Sequence, residues 1–332
     1  MDKINLKKLI NAREVSLFIV LILFGIFIQL RNPAFGTPKN INNMLINYST
    51  TMVLAIGMMS VLLIGGIDIS IGSILAFAGM VSALVIRDNP DTSVFVAIMI
   101  AVIVGGLCGL INGLVIAKGG VPPIIATMGS MNILRGLTYL VANNEWVAAY
   151  QINEGFKKFA MSKYLSFGLI NNLIFIAFVI ALVAYCFLKY TRLGRKIYAV
   201  GNNAQAAEIS GINISRIKIL VYTLMGILAG LSGALWVSLY ASAQGDMGMG
   251  IEMDVIAACV IGGVSLAGGR GSVVGVLLGA ITIAMLGNGL PLIGVSQFSL
   301  DAIKGAIIVL TVILNVLLQR QKLKNSLRRR EI

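Results

Sequence analysis

Long apolar stretches separated by short polar breaks run through the chain, and their length decides what they can be. A helix rises about 1.5 Å per residue, so roughly 20 apolar residues cross a hydrocarbon layer of about 30 Å. Such runs lie near residues 15 to 30, 44 to 64, 70 to 86, 94 to 117, 123 to 142, 165 to 188, 217 to 240, 254 to 264 with an extension into the next turn, 271 to 290, and 298 to 318. The eighth is the shortest. Apolar and polar residues do not alternate within the runs, as strands of a membrane barrel would require. Backbone N–H and C=O groups find no partner in lipid, so each run must satisfy itself as a helix. The pattern predicts an all-α polytopic membrane protein of about ten transmembrane helices, forming one domain over residues 1 to 332.

Composition removes the other classes. The chain is 58% hydrophobic and 12% charged, with a mean hydropathy of +0.93, whereas soluble domains carry about 25% charged residues. Disorder would need the opposite balance. The net charge of +13 does not point to nucleic acid, because the basic residues follow the loops instead of clustering on one soluble face. Lys189, Arg192, Arg195, Lys196, Arg216, Lys218 and the tail from Arg320 to Arg330 fall on one side; the other holds Arg31, Lys39, Arg87, Lys157, Lys158 and Lys163. Lys and Arg favour the cytoplasmic face. Both termini are therefore expected in the cytoplasm, with 189 to 217 a cytoplasmic loop and 143 to 164 an external one. The external segment carries Trp146, Tyr150, Phe156, Phe159 and Tyr164, read first as headgroup anchors and second as a docking surface. Lys3, Lys7, Lys8 and Arg13 before the first run resemble a signal sequence, but no small-residue cleavage site follows, so the run is read as an uncleaved span.

Within the runs, small and polar residues carry the chemistry. Gly109-x-x-x-Gly113, Gly226-x-x-x-Gly230 and Gly271-x-x-x-Gly275-x-x-x-Gly279 place glycines on one helix face, where backbones can approach closely. IGGIDISIGS at 64 to 73 echoes IGGVSLAGGRGS at 261 to 272, and ILRGL at 133 to 137 echoes AIKGA at 302 to 306, a degenerate internal repeat. Asp68, after Gly65 and Gly66, has two readings: capping the helix that begins near Ile69, or meeting a solute. Arg135 lies within a span, and Asp301 and Lys304 stand three residues apart, a spacing that lets opposite charges neutralise each other. These are structural or gating candidates. Asn47, Tyr48, Asn112, Thr127, Ser130, Asn132 and Asn288, with Ser49 and Thr50, are candidates for a translocation path, since uncharged amides and hydroxyls suit a polyhydroxylated solute better than an ion. Each could equally bond a neighbouring helix. There is no histidine, Cys108, Cys186 and Cys259 lack a CxxC spacing, and no metal or catalytic constellation is expected. GGRGSVVG at 268 to 275 is a Gly-rich turn, not a GxxxxGK[ST] phosphate loop.

The polar stretch GNNAQAAEISGINISRIK, residues 201 to 218, stands apart. Asn202 with Gln205 three residues on reads as a capping box and Gly211 as a left-handed stop, which predicts a helix over Asn203 to Ser210. Small residues keep its surface shallow, and Ile209 and Ile212 offer anchors for a partner groove. A solvated connector is the plainer reading.

TRLGRKIYAVGNNAQAAEISGI (191 to 212), GGIDISIGS (65 to 73), VPPIIATMGSMNILRGL (121 to 137), EMDVIAACVIGGVSLAGGRGSVVGVLLG (252 to 279) and NGLPLIGVSQFSLDAIKGAIIVL (288 to 310) resemble, in order and over nearly the whole chain, the permease subunits of bacterial ABC importers for monosaccharides, the ribose, galactose, xylose, rhamnose and autoinducer-2 group. The resemblance implies a type II importer-like fold in the inner membrane. It also implies a second permease chain, identical or homologous, two cytoplasmic ATPase domains that carry ATP and Mg, and a periplasmic sugar-binding protein. No cofactor is implied in this chain. Asn203, Ala204, Ala206, Ala207, Glu208, Ser210 and Gly211 would then form the helix that couples to the ATPase, although AAEISG keeps only the composition, not the order, of the EAA loop of other importers. The rivals are an ion-coupled secondary transporter, which also favours repeats and broken helices, an integral membrane enzyme, and a scaffold without transport. The sugar is not legible.

Overall fold

A computed structural model describes residues 13 to 307 apart from 167, 169 and 297, together with 309, 310 and 313. The chain runs through α1 (Arg13–Arg31), α2 (Pro38–Leu63), α3 (Ile71–Asp88), α4 (Val94–Ala117), α5 (Pro123–Val141), α6 (Glu154–Met161), α7 (Asn172–Tyr190), α8 (Arg192–Asn202), α9 (Ala204–Ile209), α10 (Ile214–Tyr240), α11 (Ile251–Ile261) and α12 (Val273–Leu292). Residues 298 to 307 form a last helix, α13. Among the described residues, α1 (from Glu14), α2, α3, α4, α5, α7, α10 and α12 are long and apolar enough to cross a membrane. The protein is thus an all-α, multi-pass membrane protein.

Side-chain caps set the helix starts. Thr37 accepts the Asn40 amide before Pro38 opens α2, Ser93 accepts Val96, Asn213 accepts Arg216 and Ser272 accepts Gly275. Each supplies an acceptor to an N–H that a first helical turn leaves orphaned. The eighth apolar run departs from its expectation. Its helix, α11, has 11 residues, about 16 Å at 1.5 Å each, too short to span. Gly262, Gly263 and the GGRG sequence end it, and 262 to 272 continue as turns and irregular chain. Of the run at 298 to 318, the part beyond 313 lies outside the described residues.

Helices α2, α3 and α10 form the centre of the bundle, with α2 buried along most of its length. Their neighbours present wide apolar faces outward, such as Phe95, Ile103 and Leu107 of α4 or Phe178, Leu182 and Val183 of α7, a pattern suited to lipid. Cys186 is also exposed on α7, whereas Cys108 and Cys259 are buried. α1 lies at the edge and packs on α12, with Ile28 and Leu21 in a cluster that includes Phe35 and Met285. Beyond α1, Asn32 donates to the Leu292 carbonyl at 2.7 Å.

Helices α4 and α10 cross closely, and glycine makes the crossing. A Cβ on Gly226 would lie 2.7 Å from the Gly109 Cα, and one on Gly109 would lie 2.9 Å from the Gly226 Cα. Gly105 takes part as well, a residue outside the anticipated motif. Gly275 and Gly279 do the same for α12 against Gly262 and Ala258 of α11. Backbones this close gain dispersion contact that lipid cannot replace. Gly226→Leu is expected to force α4 and α10 apart at a cost of about 3 kcal/mol, read as lost thermal stability of the detergent-solubilised chain. Gly136→Leu, where a side chain meets nothing within 4 Å, should change it by under about 1 kcal/mol.

Candidate functional site

At the end of the bundle where α2 begins and α10 and α12 finish, the chain encloses an open cavity of about 1240 Å³. Five residues anticipated from the sequence line it: Asn47, Tyr48, Asn288, Asp301 and Lys304. The ion pair differs from the one expected. Lys304 does not pair with Asp301 three residues away; it reaches Asp254 on α11, with its Nζ 2.9 and 3.0 Å from the two carboxylate oxygens. The shift follows from where α13 docks, since Lys304 faces α11 while Asp301 is exposed at the cavity. Asn288 is engaged too, exchanging hydrogen bonds of 2.8 and 3.1 Å with Asn40.

The remaining lining was not anticipated. Trp236 and Tyr240, one turn apart on α10, form an aromatic wall with ring centroids 4.9 Å apart. Gln244 and Asp246 enter from the loop before α11. Arg135 pins that loop, donating to the carbonyls of Gly245 and Met247 at 2.8 and 2.9 Å, and an antiparallel bridge between Val147 and Ala243 holds its start. Asp254 carried a signal, since with Glu252 it opens the apolar run EMDVIAACVIGG, and an acid at membrane depth demands a partner. The partner, 50 residues on, did not.

The other path candidates do not line the cavity. Asp68 is fully buried; its Oδ1 accepts the Ser70 N–H at 2.9 Å and the Ser70 hydroxyl at 2.6 Å. Asn112 of α4 donates to the Ser70 hydroxyl at 2.9 Å and accepts from Ser130 of α5. Thr127 accepts the Ile69 N–H at 3.3 Å and donates to the Pro123 carbonyl at 2.9 Å. Of the two readings of Asp68, the geometry matches neither closely: the helix starts at Ile71, and the carboxylate closes the turn that leads into it. Gly65 enters this turn with φ +75°, and Gly66 packs beside the Tyr222 hydroxyl. Asn112, Thr127 and Ser130 thus stitch the α2–α3 break to α4 and α5, the alternative already open to them. Asn132 sits on the exposed face of α5 and bonds the Met128 carbonyl of its own helix.

The polar stretch forms α9, a helix of six residues. The capping differs from the pattern read in the sequence. Asn202 ends α8, and Asn203 is the cap, accepting the Ala206 amide at 3.0 Å. Gly211 supplies the left-handed stop with φ +79°. Ala204, Ala206, Glu208, Ser210 and Gly211 are exposed, and Ile209 is 88% exposed. Ala207 alone turns inward, buried against the chain. α8 is held from behind: the Tyr198 hydroxyl donates to the Gly271 carbonyl at 2.9 Å, and a Cβ on Gly201 would lie 2.6 Å from the Gly269 nitrogen. In the external-loop candidate, Phe156 and Phe159 are buried, while Trp146, Tyr150 and Tyr164 point outward.

Residues 40–313 match the family described as the branched-chain amino acid transport system permease component. The chain belongs to this permease family. It is 40% identical to the ribose import permease protein RbsC of Escherichia coli (strain K12), over 91% of this chain and 93% of that one. The galactose/methyl galactoside import permease protein MglC of Haemophilus influenzae is 35% identical over 92% and 94%. The L-arabinose ABC transporter permease protein AraH of Azospirillum brasilense is 33% identical over 95% and 90%. No solved structure matches the chain. The cavity, the Asp68 network and α9 all fall within the span matched to the permease family. Within this permease, Asn112→Leu should lower unfolding free energy by about 1 to 3 kcal/mol, because Ser70 and Ser130 lose a buried partner. Asn132→Leu should stay within about 0.5 kcal/mol; chemical unfolding in detergent compares the two.

Proposed function

We propose that the chain is the membrane-spanning subunit of an ATP-driven importer of monosaccharides in a bacterial inner membrane. The observation that carries this reading is its similarity to sugar import permeases over nine-tenths or more of both chains. In this reading both termini lie in the cytoplasm, 189 to 217 is the cytoplasmic loop and 143 to 164 faces the periplasm. The cavity then opens toward the side from which a periplasmic binding protein delivers the sugar. ATP and Mg are handled by two separate ATPase domains. A second permease chain completes the pair, and the exposed face of α5, where Gly129 and Gly136 flank Asn132 with open space around them, supports close packing there.

The exposed side of α9 is the contact to the ATPase. Ala204, Ala206, Glu208 and Ser210 form a shallow surface, and Ile209 is the apolar peg of a helix-in-groove contact. Movement imposed on α9 passes to α8, which touches the Leu63 and Gly269 backbone through Gly201, and so to the ends of α2 and of the segment after α11. ATP-driven change requires that the nucleotide-bound partner favour one arrangement of these helices over another.

The test is reconstitution with the ATPase and binding protein in proteoliposomes. Uptake should require ATP and persist with an uncoupler, whereas an ion-coupled carrier would show the reverse. Ile209→Asp is expected to lower recovery of the ATPase with the permease at least tenfold, corresponding to about 1.4 kcal/mol, while leaving membrane insertion intact. Unchanged recovery would remove α9 from the interface. Ala207→Arg is not a clean probe, because Ala207 is buried within the chain.

A further inference from the structure

We infer that the cavity between α2, α10, α11, α12 and α13 is a subsite that retains uncharged monosaccharides during passage and turns away their phosphorylated forms. The inference rests on the importer reading and goes further, to a site and a selectivity. Three kinds of group meet there. Trp236 and Tyr240 offer aromatic faces on which the C–H face of a sugar ring can lie, the apolar wall typical of small-molecule sites. Asn47, Gln244 and the Tyr48 hydroxyl supply donors and acceptors for the ring edge. Asp254 and Lys304, paired at 2.9 Å across two helices, present a carboxylate and an ammonium side by side, which together can accept from and donate to vicinal hydroxyls.

The charge balance sets the selectivity. The described lining holds the carboxylates of Asp246, Asp254 and Asp301 and one ammonium, Lys304, a formal surplus of two negative charges. The charge of Lys304 is already balanced by Asp254, so its remaining donors can serve a neutral hydroxyl while a dianion entering meets net repulsion from the surplus carboxylates. A volume of about 1240 Å³ exceeds the upper range of roughly 1,000 Å³ for tight small-molecule pockets. A single sugar leaves room for water, so the hold is weak, as release to the far side requires.

Trp236 provides its own reporter. The chain has two tryptophans, and the other, Trp146, is exposed outside the cavity. The Trp146→Phe full chain in nanodiscs leaves Trp236 as the only indole. Its fluorescence should change saturably with at least one of D-ribose, D-galactose and L-arabinose, and ribose 5-phosphate should require at least about tenfold higher concentration than ribose. Asp254→Asn should weaken the neutral sugar at least about tenfold. Asp301→Asn, at an exposed position where folding is not at stake, should shrink the neutral-to-phosphate preference at least about threefold. Absence of a saturable response to all three sugars, or equal response to ribose 5-phosphate, overturns the subsite. ATP-dependent uptake that persists beside a silent Trp236 defeats the subsite and leaves the importer standing. A selective response without ATP-dependent uptake supports the subsite and defeats the importer reading.

Discussion

Hydrocarbon offers no hydrogen bonds, so wherever a helix stops at membrane depth the chain must bring its own donors and acceptors. The break between α2 and α3 shows how this is met. Its backbone is held by Asp68 from within the turn and by Thr127 from α5, and Asn112 and Ser130 extend the same chain of bonds to α4. One oxygen of Asp68 has no hydrogen-bond partner among the described residues, a costly arrangement for a buried carboxylate. The loop before α11 is met differently, by a single guanidinium that takes two carbonyls. Three of the polar residues that look like a solute path in the sequence, Asn112, Thr127 and Ser130, are spent on these repairs.

The two echoes in the sequence converge in space. The Gly-rich turn after α2 meets the one after α11, with the Gly269 N–H donating to the Leu63 carbonyl at 2.9 Å. Arg135 and Lys304, the cations of the second echo, both reach the stretch from Gly245 to Asp254. One junction therefore lies beside α8 and the other lines the cavity. In the proposed importer, the first receives motion from α9 and the second holds the solute, with α11 and its flanking turns joining them.

Glycine gives this arrangement its compactness. The α4–α10 crossing and the α11–α12 pair bring backbones together over small residues, which packs the centre without relying on a hydrophobic drive that lipid does not supply. α5, by contrast, leaves Gly129 and Gly136 open. The same residue type thus marks both a filled interface and an open face, and only its surroundings tell them apart.

Much was settled along the chain itself. The length and evenness of the apolar runs determined an all-α membrane protein, the i, i+4 glycines determined which faces pack, and Gly211 determined the end of α9, because each depends on residues within a few turns. Boundaries shifted where neighbours competed: Asn202 and Asn203 are equally good caps by type, and the end of α8 took the first. Pairings across the bundle belonged to the tertiary structure alone. Lys304 chose Asp254 over Asp301, Ala207 turned inward while Ile209 turned out, and Trp236 and Tyr48 came to line one cavity. Helical periodicity fixes which side of its own helix a residue occupies, but the docking of one helix against another decides what stands opposite.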